Sequence, residues 1–292
     1  MSSKTARHGW LPACFLLIGS ASVPAVLPAQ APAVARERAE YDRWLGSANV
    51  SPYAAIAQTR IGGGIRLGPP DADVPLDGVS LQQVTEQGGR VVLESGSASR
   101  SLPRGRPVSL GTYTLVASGP AGRATLSVFG RPALKHPPAY FTYDSSYAFT
   151  VTLEKASEPG KGLVLALDGT EVEAPVAGTV VVNLGGKNAR LLVRRIPEDN
   201  DESDLEVYFR DTTNGKGTYP AGRFVALLPV AGGRYLLDFN RARNPFCAYS
   251  SVYACPAPWK GNTISEPVRA GERYSGGGLD APAITDSADR AG

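Results

Sequence analysis

The 292-residue sequence predicts a mostly β fold of antiparallel sandwich- or barrel-like sheets with a short N-terminal helix. Three observations carry this expectation. The 33 Gly and 24 Pro residues break the chain into pieces too short for a helical bundle. Short apolar runs recur at roughly 8–12 residue spacing between turn signals, the rhythm of a sandwich or meander. Only one stretch keeps convincing helical spacing.

Residues 1–29 read as a signal peptide. Lys4, Arg7 and His8 form a basic start, Trp10 to Val26 is mostly apolar and uncharged, and small residues follow. Pro and Ser interrupt the apolar stretch, so it suits a cleaved leader better than a spanning helix, with a retained anchor as the alternative. No later stretch approaches the ~20 apolar residues of a transmembrane helix. The protein is therefore expected to be exported, to the periplasm or beyond, with cleavage after Ala29 or Ala33.

Residues 30–60 form an N-terminal helical segment. Val34, Ala39, Tyr41, Trp44 and Leu45 keep roughly helical spacing among charges, and Gly46 ends the run. A second helical turn is expected over Tyr53–Gln58. Residues 61–130 form a first β region, with strands expected at Ile65–Leu67, Val79–Thr85, Arg90–Glu94, Pro107–Leu110, Tyr113–Ala117 and Ala124–Phe129. Gly62-Gly63-Gly64 lacks the spacing of a dinucleotide loop. Residues 131–274 form a second β region, with strands at Ala148–Glu154, Gly162–Asp168, Thr179–Leu184, Arg190–Ile196, Leu205–Arg210, Arg223–Leu228 and Arg234–Asn240. The last two meet at a turn over Pro229–Gly233 and form a hairpin. The acidic run Glu198, Asp199, Asp201, Glu202 and Asp204 lacks calcium-loop spacing and reads as a solvated loop. Residues 275–292 are small and polar and read as a disordered tail.

Several function classes are excluded by composition. With Lys4 and Arg7 in the leader, 28 basic residues stand against 27 acidic ones, so nothing electrostatic points to nucleic acid. His136 is the one histidine outside the leader, and neither a nucleophile elbow nor a Walker loop is present, so no cofactor is expected. Cys247 and Cys255 remain after Cys14 leaves, and in an oxidising compartment they most simply form a disulfide. Two free thiols, or a metal site short of two ligands, are the alternatives.

Residues 205–273 hold an unusual density of rare residues in order. Asp211, Thr213, Gly215, Thr218, Tyr219, Ala221, Gly222 and Arg223 form D-x-T-x-G-x-x-T-Y-x-A-G-R. Asp238 to Ala242, Asn244, Pro245, Cys247 and Ala248 form D-F-N-R-A-x-N-P-x-C-A, followed by Cys255-Pro256, Asn262 and Ala270-Gly271-Glu272. This stretch resembles the bacterial family called domain of unknown function 1684. The chain departs from the family pattern at Arg243 and Phe246, where Tyr and Pro are usual. No activity comes with the resemblance, which implies a fold and a location outside the cytoplasm.

The candidate site is the polar cluster Asp211, Tyr219, Arg223, Asp238, Asn240, Arg241, Asn244 and Glu272. Arg223 and Arg241 suit bidentate grip on a carboxylate or phosphate. Asp211, Asp238 and Glu272 offer a carboxylate pair for acid–base hydrolysis. The same residue types also tie loops down through buried hydrogen bonds. Arg223 and Asp238, in neighbouring strands, are expected to form a buried pair. Tyr249, Tyr253 and Trp259 suit either stacking on sugar rings or packing over the hairpin. Three functions follow: an exported module binding a small polar or carbohydrate ligand, a hydrolase, or a structural envelope protein. Neither partner identity nor oligomeric state is written in the sequence.

Export is directly testable. Mass spectrometry of the native soluble protein should find its N-terminus between Gln30 and Val34, and an intact Met1 would refute the leader.

Overall fold

The computed structural model describes residues 30–132, 137–158, 160, 162–197, 203–257 and 259–274. The expected leader (residues 1–29), the expected tail (residues 275–292), His136 and most of the acidic run lie outside the described residues.

Helix α1 (Gln30–Ser47) buries Val34, Tyr41 and Leu45, one stripe at helical spacing, while Ala39 faces outward. A short 3-10 turn at Pro52–Ala54 follows, opened by the fixed φ of Pro52. The strands of the first β region are β1 (Ala55–Arg60), β2 (Ile65–Gly68), β3 (Val74–Pro75), β4 (Gln82–Gln87), β5 (Arg90–Ser95), β6 (Ala98–Ser101), β7 (Val108–Leu110), β8 (Tyr113–Ser118) and β9 (Thr125–Phe129). They build a four-stranded sheet in the order β1-β9-β8-β7 and a five-stranded sheet in the order β3-β2-β4-β5-β6. Ile65, Leu67, Val84, Val91 and Leu93 from one sheet meet Leu115, Leu126 and Val128 from the other in a shared core. This is a small sandwich.

Strand β1 corrects the expected helical turn over Tyr53–Gln58. Ala and Gln favour helix locally, but the segment is the edge partner of β9, with Thr59 opposite Leu126. Tertiary pairing overrides propensity here. The sheet thus starts inside what reads as the helical segment.

The second β region comprises β10 (Ala148–Val151), β11 (Glu154–Lys155), β12 (Leu163–Leu165), β13 (Glu171–Glu173), β14 (Val176–Leu184), β15 (Lys187–Pro197), β16 (Ser203–Phe209), β17 (Arg223–Val230) and β18 (Arg234–Asp238). Seven of these form an antiparallel sheet, β10-β18-β17-β16-β15-β14-β11, curved into a half-barrel. Period-two alternation sends Val180, Val182, Leu191, Val193, Val207, Phe209, Val225 and Leu237 to its inner face. The other face of β16 and β17 is covered as well. There Tyr208 and Phe224 stack with centroids 4.2 Å apart, and Trp259 closes over them edge-on. The β12–β13 hairpin packs Val164 and Val172 against this patch. Strand β18 stops at Asp238, and Phe239–Arg241 turn into a 3-10 element instead of extending the strand.

Ala54, Phe129, Tyr219, Ala221, Cys247 and Tyr253 join the two regions in a smaller cluster. Cys247 and Cys255 stand there at disulfide distance, with Cα atoms 5.5 Å apart. Tyr219 Oη reaches both sulfurs at 3.3 Å. Among the described residues no helix is long and apolar enough to cross a membrane.

Closing so short a loop should stabilise the fold by roughly 2–3 kcal/mol on the chain-entropy estimate. Thiol titration of the unfolded, unreduced protein should detect no free thiol from this pair. Cys247→Ser/Cys255→Ser should lower the urea midpoint by a matching amount.

Candidate functional site

The family motif builds two things: a buried polar lattice and, outside it, a cleft. The lattice starts at Asp211, just past the end of β16. Its Oδ1 accepts from Thr213 N at 2.8 Å and Thr213 Oγ1 at 2.6 Å, which curls the loop back on itself. Thr213 and Thr218 hydroxyls meet at 2.8 Å, and Asn214 Nδ2 donates to Tyr219 O. Gly222 then lets the chain enter β17 at φ +113°. A Cβ there would stand 2.6 Å from Phe209 O, so only glycine permits this backbone approach.

Arg223 follows, fully buried. Its Nη2 donates to Asp211 Oδ2 at 2.9 Å and to Val268 O at 2.8 Å, and its Nη1 donates to Ala270 O and to Glu272 O. The guanidinium lies 5.2 Å from the Phe209 ring. Burial pulls its proton affinity down, and the Asp211 charge pushes it back up. Four acceptors within one fork hold the guanidinium where water does not reach.

The expected Arg223–Asp238 pair is thereby corrected. Leu227 pairs with Leu237 across the hairpin, so Arg223 falls on the face of Leu237 and Asp238 on the opposite face. Both are buried, but with different partners. Asp238 Oδ1 accepts from Asn240 N and Nδ2, and its Oδ2 takes Arg241 Nη1 at 2.5 Å. Arg241 in turn grips Glu37 of α1 through Nε at 2.8 Å and Nη2 at 3.1 Å, and reaches Gln30. Asn240 exchanges two hydrogen bonds with the Asp144 backbone. Arg38 of α1 donates to Phe141 O and Asn240 O. This second network bolts the helix onto the motif.

Glu272 anchors a third group. Its Oε2 accepts from Asn244 N at 2.7 Å and from Tyr249 Oη at 2.6 Å, while Oε1 meets no donor among the described residues. Burial pushes its carboxyl up to about 7. Tyr249 is pushed well above its ordinary value by burial and by the neighbouring Glu272. Asn244 Nδ2 donates to Arg273 O. Tyr253 and Trp259 are buried, so neither offers a sugar-stacking face.

Chemically, this lattice holds chain segments together. The side chains of Asp211 and Asp238 are 0% exposed, Glu272 is 0% exposed overall, and each is committed to donors. In this geometry they reach no common substrate. Among the described residues no group of three or more His, Cys, Asp or Glu side chains stands together to hold a metal ion. The crevice between α1 and Asn240–Arg243 measures about 20 Å³ and admits no ligand.

The open concavity lies on the other side of Asp211 and Arg223. It has a volume of about 260 Å³ and is lined by Phe141, Thr212, Thr213, Lys216, Gly217, Pro267, Arg269 and Arg273. One wall is the D-x-T-x-G loop, the other the strap leading to Ala-Gly-Glu. Along the strap Val268, Ala270 and Glu272 turn inward, and Arg269 and Arg273 turn out. Gly271 at φ +76° lets it pass 2.6–2.7 Å, measured from a notional Cβ, from Ala242 O and Phe239 O. Sequence reasoning missed Thr212, Lys216, Arg269 and Arg273, because none of them is one of the motif residues. The signal present was the alternation of Arg with buried residues in V-R-A-G-E-R.

The model of the family described as "Protein of unknown function (DUF1684)" matches residues 138–273. The solution NMR structure of the uncharacterized protein from gene locus rrnAC0354 of Haloarcula marismortui is 33% identical, over 48% of this chain and 77% of that one, with a TM-score of 0.41. The chain belongs to the DUF1684 family. No curated protein matches it. The DUF1684 match covers both cleft walls and every residue of the buried lattice contributed by the motif, but it begins after α1 and the sandwich.

Two outcomes are expected from this geometry. Asp211→Ala leaves Arg223 buried without its counter-charge and should cost about 3–5 kcal/mol in urea melts. A double-mutant cycle should couple Arg223 to Asp211, while Arg223 and Asp238 should be additive within about 0.5 kcal/mol. Glu272 should also impose a pH dependence. Its carboxyl titrates near 4.5 in the unfolded chain and near 7 in the folded one, so the folded state holds the proton longer. That stability is fully present below pH 4.5 and lost as pH rises through about 7, a change of about 3 kcal/mol. Glu272→Gln should abolish this decline relative to wild type in urea melts at pH 5 and pH 8.

Proposed function

We propose that this protein is an exported, non-catalytic module that binds a small polar ligand in the cleft between the Asp211–Thr218 loop and the Pro267–Arg273 strap. One observation carries the reading. The loop and the strap that carry the motif border an open concavity of about 260 Å³, and a single buried guanidinium pins both walls from behind. Preorganised walls with exposed polar side chains suit reversible binding, because little ordering remains to be done when the ligand arrives. The burial of the three carboxylates argues for binding over hydrolysis, since a general acid or base must reach the bond it acts on.

Backbone amide NMR tests this reading. Titration with a panel of monosaccharides, amino acids, nucleosides and sugar phosphates should shift signals from residues 212–217 and 267–273 for at least one member. Shifts confined to other surfaces, or none across the panel, would overturn the cleft as a binding site and favour a purely structural envelope role.

A further inference from the structure

Resting on that reading, the geometry points to the kind of ligand: we propose that the cleft is an anion site, and that its ligand carries a phosphate-type dianionic group held between Lys216 on the loop and Arg269 and Arg273 on the strap.

The polarity of the two walls is the first argument. Each wall contains an acid and at least one cation, and in both the acid is turned inward and the cation outward. Asp211 and Glu272 lie in the interior, whereas Thr212, Lys216, Arg269 and Arg273 are exposed. Among the described residues none of the three cations stands within ion-pair distance of a carboxylate. Three like charges therefore line one concavity with no counter-charge among the described residues, in a protein whose overall charge is close to balanced. A low-dielectric concave wall focuses such a field on whatever enters.

Preorganisation is the second. The strap cannot drift, because Arg223 holds the carbonyls of Val268, Ala270 and Glu272. The loop cannot drift either, because Asp211 holds Thr213 and Val268 N. Arg273 lies 5.4 Å from the Phe141 ring centroid, which supports its plane and leaves the edge of its fork free. Gly217, at φ +123°, has open space where a Cβ would stand, so the loop does not fill the cleft it borders.

The donor set decides the class. Two planar guanidinium forks, one mobile ammonium and the exposed Thr212 hydroxyl match a tetrahedral group with several acceptor oxygens and two negative charges. A monocarboxylate neutralises one cation and leaves two facing each other. A neutral sugar engages none of the charge.

Isothermal titration of the folded protein with inorganic phosphate, glucose 6-phosphate, acetate and glucose tests the assignment. Both phosphates should bind at least tenfold more tightly than acetate or glucose, and more weakly as NaCl is raised. Arg269→Gln, Arg273→Gln and Lys216→Gln should each weaken glucose 6-phosphate about tenfold with unchanged urea midpoints, while Arg234→Gln at the start of β18 should change nothing. Glucose or acetate binding as tightly as the phosphates would overturn the anion assignment and leave the binding module standing. Phosphate affinity indifferent to all three cleft substitutions would overturn it too, as would no binding by any of the four probes. In that last case the NMR panel decides separately whether the cleft binds anything.

Discussion

The architecture around the motif depends on one buried ion pair. Arg223 and Asp211 are both withdrawn from water, an arrangement that is costly unless every charge finds partners. Asp211 receives donors from its own loop, from the strap and from Arg223, and Arg223 spends its two terminal nitrogens on Asp211 and three strap carbonyls. Its Nε meets no acceptor among the described residues, and the Phe209 ring lies nearby. The pair is therefore less a local stabiliser than a joint. It connects β16, β17, the loop between them and the strap. Lysine would not replace Arg223, because a single ammonium lacks the planar fork that spreads across four acceptors.

A second joint works by the same logic at the sheet's opposite face. Arg241 stands between Asp238, at the end of β18, and Glu37 on α1, so the helix is clamped by charge as well as by Val34, Tyr41 and Leu45. Arg243 over the Tyr41 ring at 4.2 Å and Tyr140 donating to Asp42 at 2.7 Å extend the clamp. Arg243 lies inside the family-matched region, and its partner Tyr41 lies on a helix outside it.

Turning acids inward and bases outward has a consequence for function. The acids serve as hydrogen-bond acceptors for backbone amides that would otherwise be orphaned, a task carboxylates do well. Their burial removes the nearest negative charge from the cleft surface. What remains exposed between loop and strap is cationic, although the whole chain is nearly neutral. Net charge accordingly says little about the character of this one surface.

Much of the fold was legible along the chain. The mostly β class, α1, the 223–240 hairpin and most strands follow from local periodicity and from Gly and Pro punctuation, which act over a few residues and leave their mark in sequence order. The importance of Asp211, Arg223, Asp238 and Glu272 was equally plain, since charged residues among apolar strands demand partners. Which partner each takes was not. The choice between Asp211 and Asp238 for Arg223 turned on hairpin register, where a shift of one residue exchanges the two faces of a strand. Strand β1 was hidden because its partner β9 lies some seventy residues away and its own composition leans toward helix. The cleft was hidden for a related reason: Lys216, Arg269 and Arg273 are ordinary surface residues until the Arg223 joint brings loop and strap side by side. Sequence determined what the segments are and which residues must be satisfied. Only the tertiary structure decided which segments meet, because that choice is made by long-range pairing and buried charge, neither of which has a local signature.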